Sequence, residues 1–251
     1  MLRNLSRRFV EKKAWLAIAL PVWVLVGFVC SQLAVFALTQ GLLALNVPLG
    51  SINQAVLNAS AGIVVYGVTL LLVIGLPWKL KGYKTTREEL GLQRMPEWLD
   101  VALAPAGFLV YIVLSAVLLY VAGMLPFIPL DDVQNTGFNG ISQRYEFLLA
   151  FFTLVILAPL AEEVLFRGYL FGKLRQHAPV WLAILITSVL FGIAHMAWNV
   201  GIDVFALSII LCLVRVLTRS LWPAILLHSL KNFVAFYLLF INPSLLGILG
   251  A

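Results

Sequence analysis

Long apolar blocks, separated by short polar and mostly basic segments, make up this chain. From Ala14 to Trp78 there is no Asp, Glu, Lys or Arg. A helix needs about 20 apolar residues to cross a bilayer, so this block reads as two helices joined by a polar turn around Asn46–Asn58. Hydropathy and length predict seven spans: Ala14–Leu45, Val56–Trp78, Val101–Leu125, Phe147–Leu170, Val180–Ala197, Val204–Leu217 and Trp222–Ile241. The apolar tail Leu245–Ala251 is too short to cross, but could complete an irregular last helix, which makes seven to eight. The fold class is therefore all-α, a polytopic transmembrane helix bundle. No internal repeat or low-complexity stretch interrupts it.

Composition agrees with this pattern. Of the 251 residues 62% are hydrophobic and 11% charged, where a soluble domain carries roughly a quarter charged residues. The net charge of +6 reads as membrane topology, not nucleic-acid binding. Arg3, Arg7, Arg8, Lys12 and Lys13 lead into the first span as an uncleaved anchor. Lys79, Lys81, Lys84, Arg87, Arg94, Lys173, Arg175, Arg215 and Arg219 fall on the same side if there are seven spans. The opposite loops hold Asp131, Asp132, Glu146 and Asp203, with Arg144 as their single cation. The positive-inside rule then puts the N-terminus in the cytoplasm and the C-terminus outside. The loop Pro126–Glu146, with Asn135, Gly137, Asn139 and Gly140, is the longest polar segment of the outer side. Trp15, Trp23, Trp78, Trp98 and Trp222 read as interfacial belts. Cys30 and Cys212 lie in apolar stretches and imply no disulfide.

Six polar side chains stand where apolar ones are expected. Glu162 and Glu163 are adjacent in span four, and Arg167 follows Glu163 by four residues, on one helix face. A central charge in a bilayer costs roughly 2.5–3.5 kcal/mol on insertion scales, and the pairing offsets much of that. Glu162 is about 100° around the helix from Glu163 and must face something else polar. His195 ends span five. His228 and Asn232, four apart in span seven, share a face. Pro159 is expected to kink span four and free a carbonyl. Lys231 is read as snorkelling or pairing with a carboxylate, Phe191 as packing, and Asn199 and Asp203 as loop.

One free carboxylate, one paired carboxylate, two imidazoles and an amide are what amide hydrolysis needs: a general base, water and oxyanion donors. Zinc would need three protein ligands and an open fourth position, which Glu162, His195 and His228 could supply. The HExxH motif is absent.

The segments Glu162-Glu163-Val164-Leu165-Phe166-Arg167, Phe191-Gly192-Ile193-Ala194-His195 and His228-Ser229-Leu230-Lys231-Asn232 resemble the motifs EExxxR, FxxxH and HxxxN of the CPBP (CAAX protease and bacteriocin-processing, or Abi) family. That family of intramembrane proteases includes the type II CAAX-prenyl endopeptidases. The resemblance covers about the C-terminal 100 residues. It divides the chain into an N-terminal transmembrane region, 1–146, without a recognised motif, and a catalytic core, 147–251. It implies that Glu162 activates the hydrolytic water, that His195 helps bind that water or a metal, and that His228 and Asn232 form the oxyanion hole. Glu163 and Arg167 are implied as the orienting pair. The family has been described both as metalloproteases and as metal-independent glutamate proteases, so zinc stays open.

The expected activity is endoproteolysis of a membrane-associated or lipid-modified peptide or protein. The rivals are a non-catalytic immunity or scaffold protein of the same family and an ion-coupled transporter, whose repeated halves are not seen. A bacterial plasma membrane is the expected location. One geometric demand remains. At 1.5 Å per residue, Glu162 lies about 12–15 Å from the inner end of span four, His195 about 22 Å from that of span five and His228 about 9 Å from that of span seven. For these to meet, span five is expected to start later than Val180 or to be steeply inclined.

Overall fold

The structure is a computed structural model that describes residues 2–130 and 136–245, without the side chains of 2–14 and of Lys81. Asp131, Asp132 and Asn135 of the outer loop lie outside the described residues, as do the tail from Leu246 and the basic side chains of the N-terminus.

The described residues fold as helices α1 (Leu2–Ala44), α2 (Gln54–Leu80), α3 (Arg87–Leu90), α4 (Trp98–Gly123), α5 (Arg144–Leu174), α6 (Val180–Ile193), α7 (Trp198–Thr218) and α8 (Trp222–Ile241). Six of them are long and apolar enough to cross a membrane. In hydrocarbon a backbone N–H or C=O must be satisfied within its own segment, and a helix does that. This is a multi-pass all-α bundle. Its interior is denser toward the C-terminal half: half of the span window of α7 is buried inside the protein, against 17% for α1 and for α2.

Polar contacts tie both ends of the bundle. At one end Asn53 caps α2 by accepting from the Ala55 N–H, and its amide donates to Glu146 at the start of α5 (2.6 Å). Glu146 also accepts from the Ser142 and Gln143 N–H groups, and Asn58 donates to the carbonyl of Gly137. At the other end α3, closed by a Thr86–Glu89 capping box, packs under α5. There Lys173 meets Glu89 (4.0 Å), Leu221 N–H donates to Gly91 O (2.8 Å), and the Trp222 indole donates to Arg94 O (2.8 Å).

This second set of contacts brings Glu162 and His228 to one depth, while the later start expected for span five is not found. α6 starts at Val180 as drawn but ends at Ile193, four residues early. At 14 residues it is about 21 Å long and falls short of a bilayer core of about 30 Å. Past it the chain turns through Met196, whose φ of 60° is left-handed, and α7 begins at Trp198 rather than Val204. Asn199 and Asp203 are thereby helical, not loop. α8 starts inside the bundle, on the 82–97 segment. Leu90 of that segment lies against Gly168 of α5, where an added Cβ would stand 3.1 Å from the Leu90 side chain. Gly168 and Trp222 therefore share a level. Glu162 and His228 each lie six residues, about 9 Å, beyond it.

Candidate active site

α5 is not a regular helix. Pro159 has no N–H to give to the preceding turn, and its ring crowds the carbonyl four residues back. The chain answers by widening: Phe152–Leu157 is π-helical, and Ala158 N–H reaches back five residues to Thr153 O. In that register the Leu154 carbonyl would receive residue 159, a proline. Asn232 of α8 donates to it instead, at 2.8 Å. One regular turn and a half follows, Ala158–Glu163, and carries both glutamates. Then Val164–Leu170 widens again. Wide turns of this kind recur at functional sites.

The two glutamates face different surroundings. Glu163 is fully buried, and its Oε1 accepts from Arg167 Nη1 and from His228 Nδ1, each at 2.8 Å. Arg167 is as completely enclosed, with its guanidinium 4.2 Å from the centre of the Phe191 ring. Phe191 is core, as expected, and also the floor on which the site rests. Its ring packs edge-on against Phe166, His195 and His228.

Glu162 is open: 18% of its side chain is exposed. Oε1 accepts from the Tyr66 hydroxyl at 2.7 Å, and Oε2 stands 3.9 Å from His228 Nε2. Glu162, His195 and Tyr66 line one cavity of about 220 Å³. His195 Nδ1 donates to the Phe191 carbonyl at 2.8 Å. A carbonyl can only accept, so the Nδ1 of His195 holds the proton and Nε2 carries the lone pair. By the same logic His228 Nδ1 is protonated toward Glu163, and its Nε2 faces Glu162.

Glu162, Glu163, Arg167, His195 and His228 are thus brought together from α5, the α6–α7 turn and α8, while Asn232, one turn along α8 from His228, is placed on the Leu154 carbonyl. Sequence reasoning missed Tyr66. Its one signal was a hydroxyl twelve residues into α2, far from either interfacial belt. Lys231 pairs with a carboxylate, one of its two expected roles, that of Asp203 (3.4 Å); unforeseen is that Asp203 also accepts from Tyr111 and Ser115 of α4 (both 2.6 Å). Trp23, read as interfacial, donates instead to Val73 O within the bundle (3.1 Å). Cys212 is core, whereas Cys30 lies on the outside of α1.

The imidazole nitrogens and the Glu162 carboxylate are donor types that suit zinc. Among the described residues, however, no three His, Cys, Asp or Glu side chains come close enough together to hold an ion.

Residues 144–234 match the family model for type II CAAX prenyl endopeptidases, Rce1-like. The chain is 30% identical over 132 residues to "UPF0177 protein YxdF" of Lactococcus lactis subsp. lactis, which covers 53% of this chain and 69% of that one. It is 36% identical over 86 residues to an "Uncharacterized 24.3 kDa protein" of Escherichia coli, covering 32% and 40% of the two chains. It is 31% identical over 77 residues to "Putative membrane peptidase YdiL" of Bacillus subtilis, covering 31% and 32%. No solved structure matches the chain.

Proposed function

The chain belongs to the CPBP family, the membrane-protease family that contains the type II CAAX prenyl endopeptidases, and from that premise we propose that it is an intramembrane endopeptidase using a water activated by Glu162. One observation carries the reading: of two adjacent glutamates, one is sealed in an ion pair and the other opens into a cavity shared with a histidine.

The chemistry follows from the donors and acceptors present. Water in the cavity gives one hydrogen to the Glu162 carboxylate and one hydrogen bond to His195 Nε2. As Glu162 takes the proton, the hydroxide attacks the scissile carbonyl carbon, and the carbonyl electrons move to oxygen. His228, protonated on both nitrogens, donates through Nε2 to that oxyanion while Nδ1–H stays on Glu163. Asn232 uses one amide hydrogen on Leu154 O and has a second for the oxyanion. Collapse of the intermediate breaks the C–N bond, and the Glu162 carboxylic acid returns its proton to the leaving amine. Glu163 and Arg167 hold the His228 ring from behind.

The substrate class is a membrane-associated or lipid-modified peptide or protein. The basic segments around Lys79–Arg94, Lys173–Arg175 and Arg215–Arg219 gather at one end of the bundle, which supports that end as cytoplasmic.

The test is turnover of a peptide library by purified protein in proteoliposomes, comparing wild type with Glu162→Gln. Gln keeps the shape but cannot take a proton, so turnover should fall by at least about 10². Near-normal turnover would remove Glu162 from the chemistry. Activity lost to a chelator and restored by zinc would instead make Glu162, His195 and His228 ligands.

A further inference from the structure

The matched region begins at residue 144, yet one hydrogen bond to the reactive carboxylate comes from outside it. Tyr66 of α2 donates to Glu162 Oε1 at 2.7 Å and lines the same cavity as Glu162 and His195.

The placement of Tyr66 is built by the residues one turn to either side. Gly62, four residues before it, lets α2 close on α5: an added Cβ there would stand 3.3 Å from the Thr153 methyl. Thr69, three residues after it, is buried and donates either to Ser31 of α1 (2.9 Å) or to the carbonyl of Val65 (2.7 Å). The helix is thus pressed onto α5 at one turn and anchored to α1 at the next. The phenol lies between these two fixed points, with its hydroxyl on Glu162.

The consequence is that the two oxygens of Glu162 are not equivalent. A carboxylate on a two-methylene stem rotates and wastes encounters with water unless something fixes its plane. Arg167 does not: it serves Glu163. His228 Nε2, at 3.9 Å from Oε2, is beyond hydrogen-bond length. Among the described residues Tyr66 is the group that holds Glu162 directly. It occupies Oε1 and leaves Oε2 turned toward His228.

We propose that Tyr66 is a positioning residue for the reaction, a donor on α2 that fixes the Glu162 carboxylate so that Oε2 is the oxygen that takes the proton from water. This rests on the peptidase reading above. It also makes α2, which lies wholly outside the matched motifs, part of the working site.

Two measurements test it. The first needs no substrate. Infrared difference spectra of wild type against Glu162→Gln isolate the Glu162 carboxyl bands, and the same difference is taken in a Tyr66→Phe background. Loss of the phenol donor should shift those bands. The second is steady-state kinetics. Tyr66→Phe should lower kcat about tenfold or more, the rate equivalent of one hydrogen bond to a charged group, with KM and thermal stability held within error. In a Glu162→Asp background, where the shorter side chain withdraws from the phenol, Tyr66→Phe should cause no further loss. Unshifted bands, an unchanged kcat, or a loss that multiplies fully with Glu162→Asp would each overturn the proposal. A wild-type protein that cleaves no peptide would remove the reaction, and the role with it, while the infrared result still decides the bond.

Discussion

In α2 the turn before Pro77 is widened over Leu71–Gly75, and in α5 the turn before Pro159 is widened over Phe152–Leu157. In each, the residue just before the proline bonds back five positions: Leu76 to Leu71, Ala158 to Thr153. In each, a side chain from another helix donates to a carbonyl of the widened turn. Trp23 of α1 serves Val73, and Asn232 of α8 serves Leu154. The backbone event is the same, and the donors differ. An indole has one N–H, which the carbonyl consumes; a primary amide has two. Trp23 sits among apolar neighbours, packed against the Val73 cluster, whereas Asn232 lies one turn from His228. α5 also continues past its proline for fifteen residues, through both glutamates and a second wide turn that no proline explains. A proline defect therefore serves packing in one helix and sets out a site in the other.

The comparison can be broken or sharpened by substitution. The largest effect is expected where α5 has no counterpart in α2, at the sealed pair. Arg167→Ala strands Glu163 in a closed interior, and loss of one partner of a buried pair costs roughly 3–5 kcal/mol. Thermal unfolding in detergent should show Arg167→Ala to be much less stable than Glu162→Gln. Equal stability would mean that the pair is not sealed as described.

Next comes Asn232→Ala. It removes the cap on Leu154 and, on the proposed mechanism, a donor for the oxyanion. The expected result is a kcat lower by about 10²–10³ with KM little changed, together with a stability loss of about 1–3 kcal/mol from the exposed carbonyl. A stability loss alone would reduce Asn232 to a cap like Trp23 and take it out of the oxyanion step.

The smallest effect is expected for Trp23→Phe. It should cost on the order of 1–3 kcal/mol or less in stability for the unmade bond and leave kcat of the surviving folded protein as it was. A fall in kcat would show that the α2 defect also reaches the site, through Tyr66 two turns before Val73.

Much of this was legible in the residues because it is local. Helix periodicity placed Arg167 on the face of Glu163 and Asn232 on the face of His228, and both hold. Glu162 needed a polar neighbour off that face, and it has one. The order of the apolar helices followed from the apolar blocks, but not the number that cross: seven to eight spans were expected, whereas six of the described helices are long enough and α6 is too short.

What a single strand of sequence does not carry is level and partner. The early end of α6, the start of α8 on the 82–97 segment and the alignment of Glu162 with His228 depend on contacts such as Leu221 to Gly91 and Leu90 to Gly168, which join residues scores of positions apart. Tyr66 and the hydroxyl donors to Asp203 were invisible for the same reason: each polar group looks solitary until helices from distant parts of the chain meet. The sequence by itself determined that the protein is a membrane helix bundle with a charged centre, because burying charge in hydrocarbon is too costly to be incidental. Helix spacing had already paired Glu163 with Arg167 and left Glu162 free; only the tertiary structure decided that Glu162 meets Tyr66 and opens into a cavity, because partner and exposure belong to the packing of helices and not to any one of them.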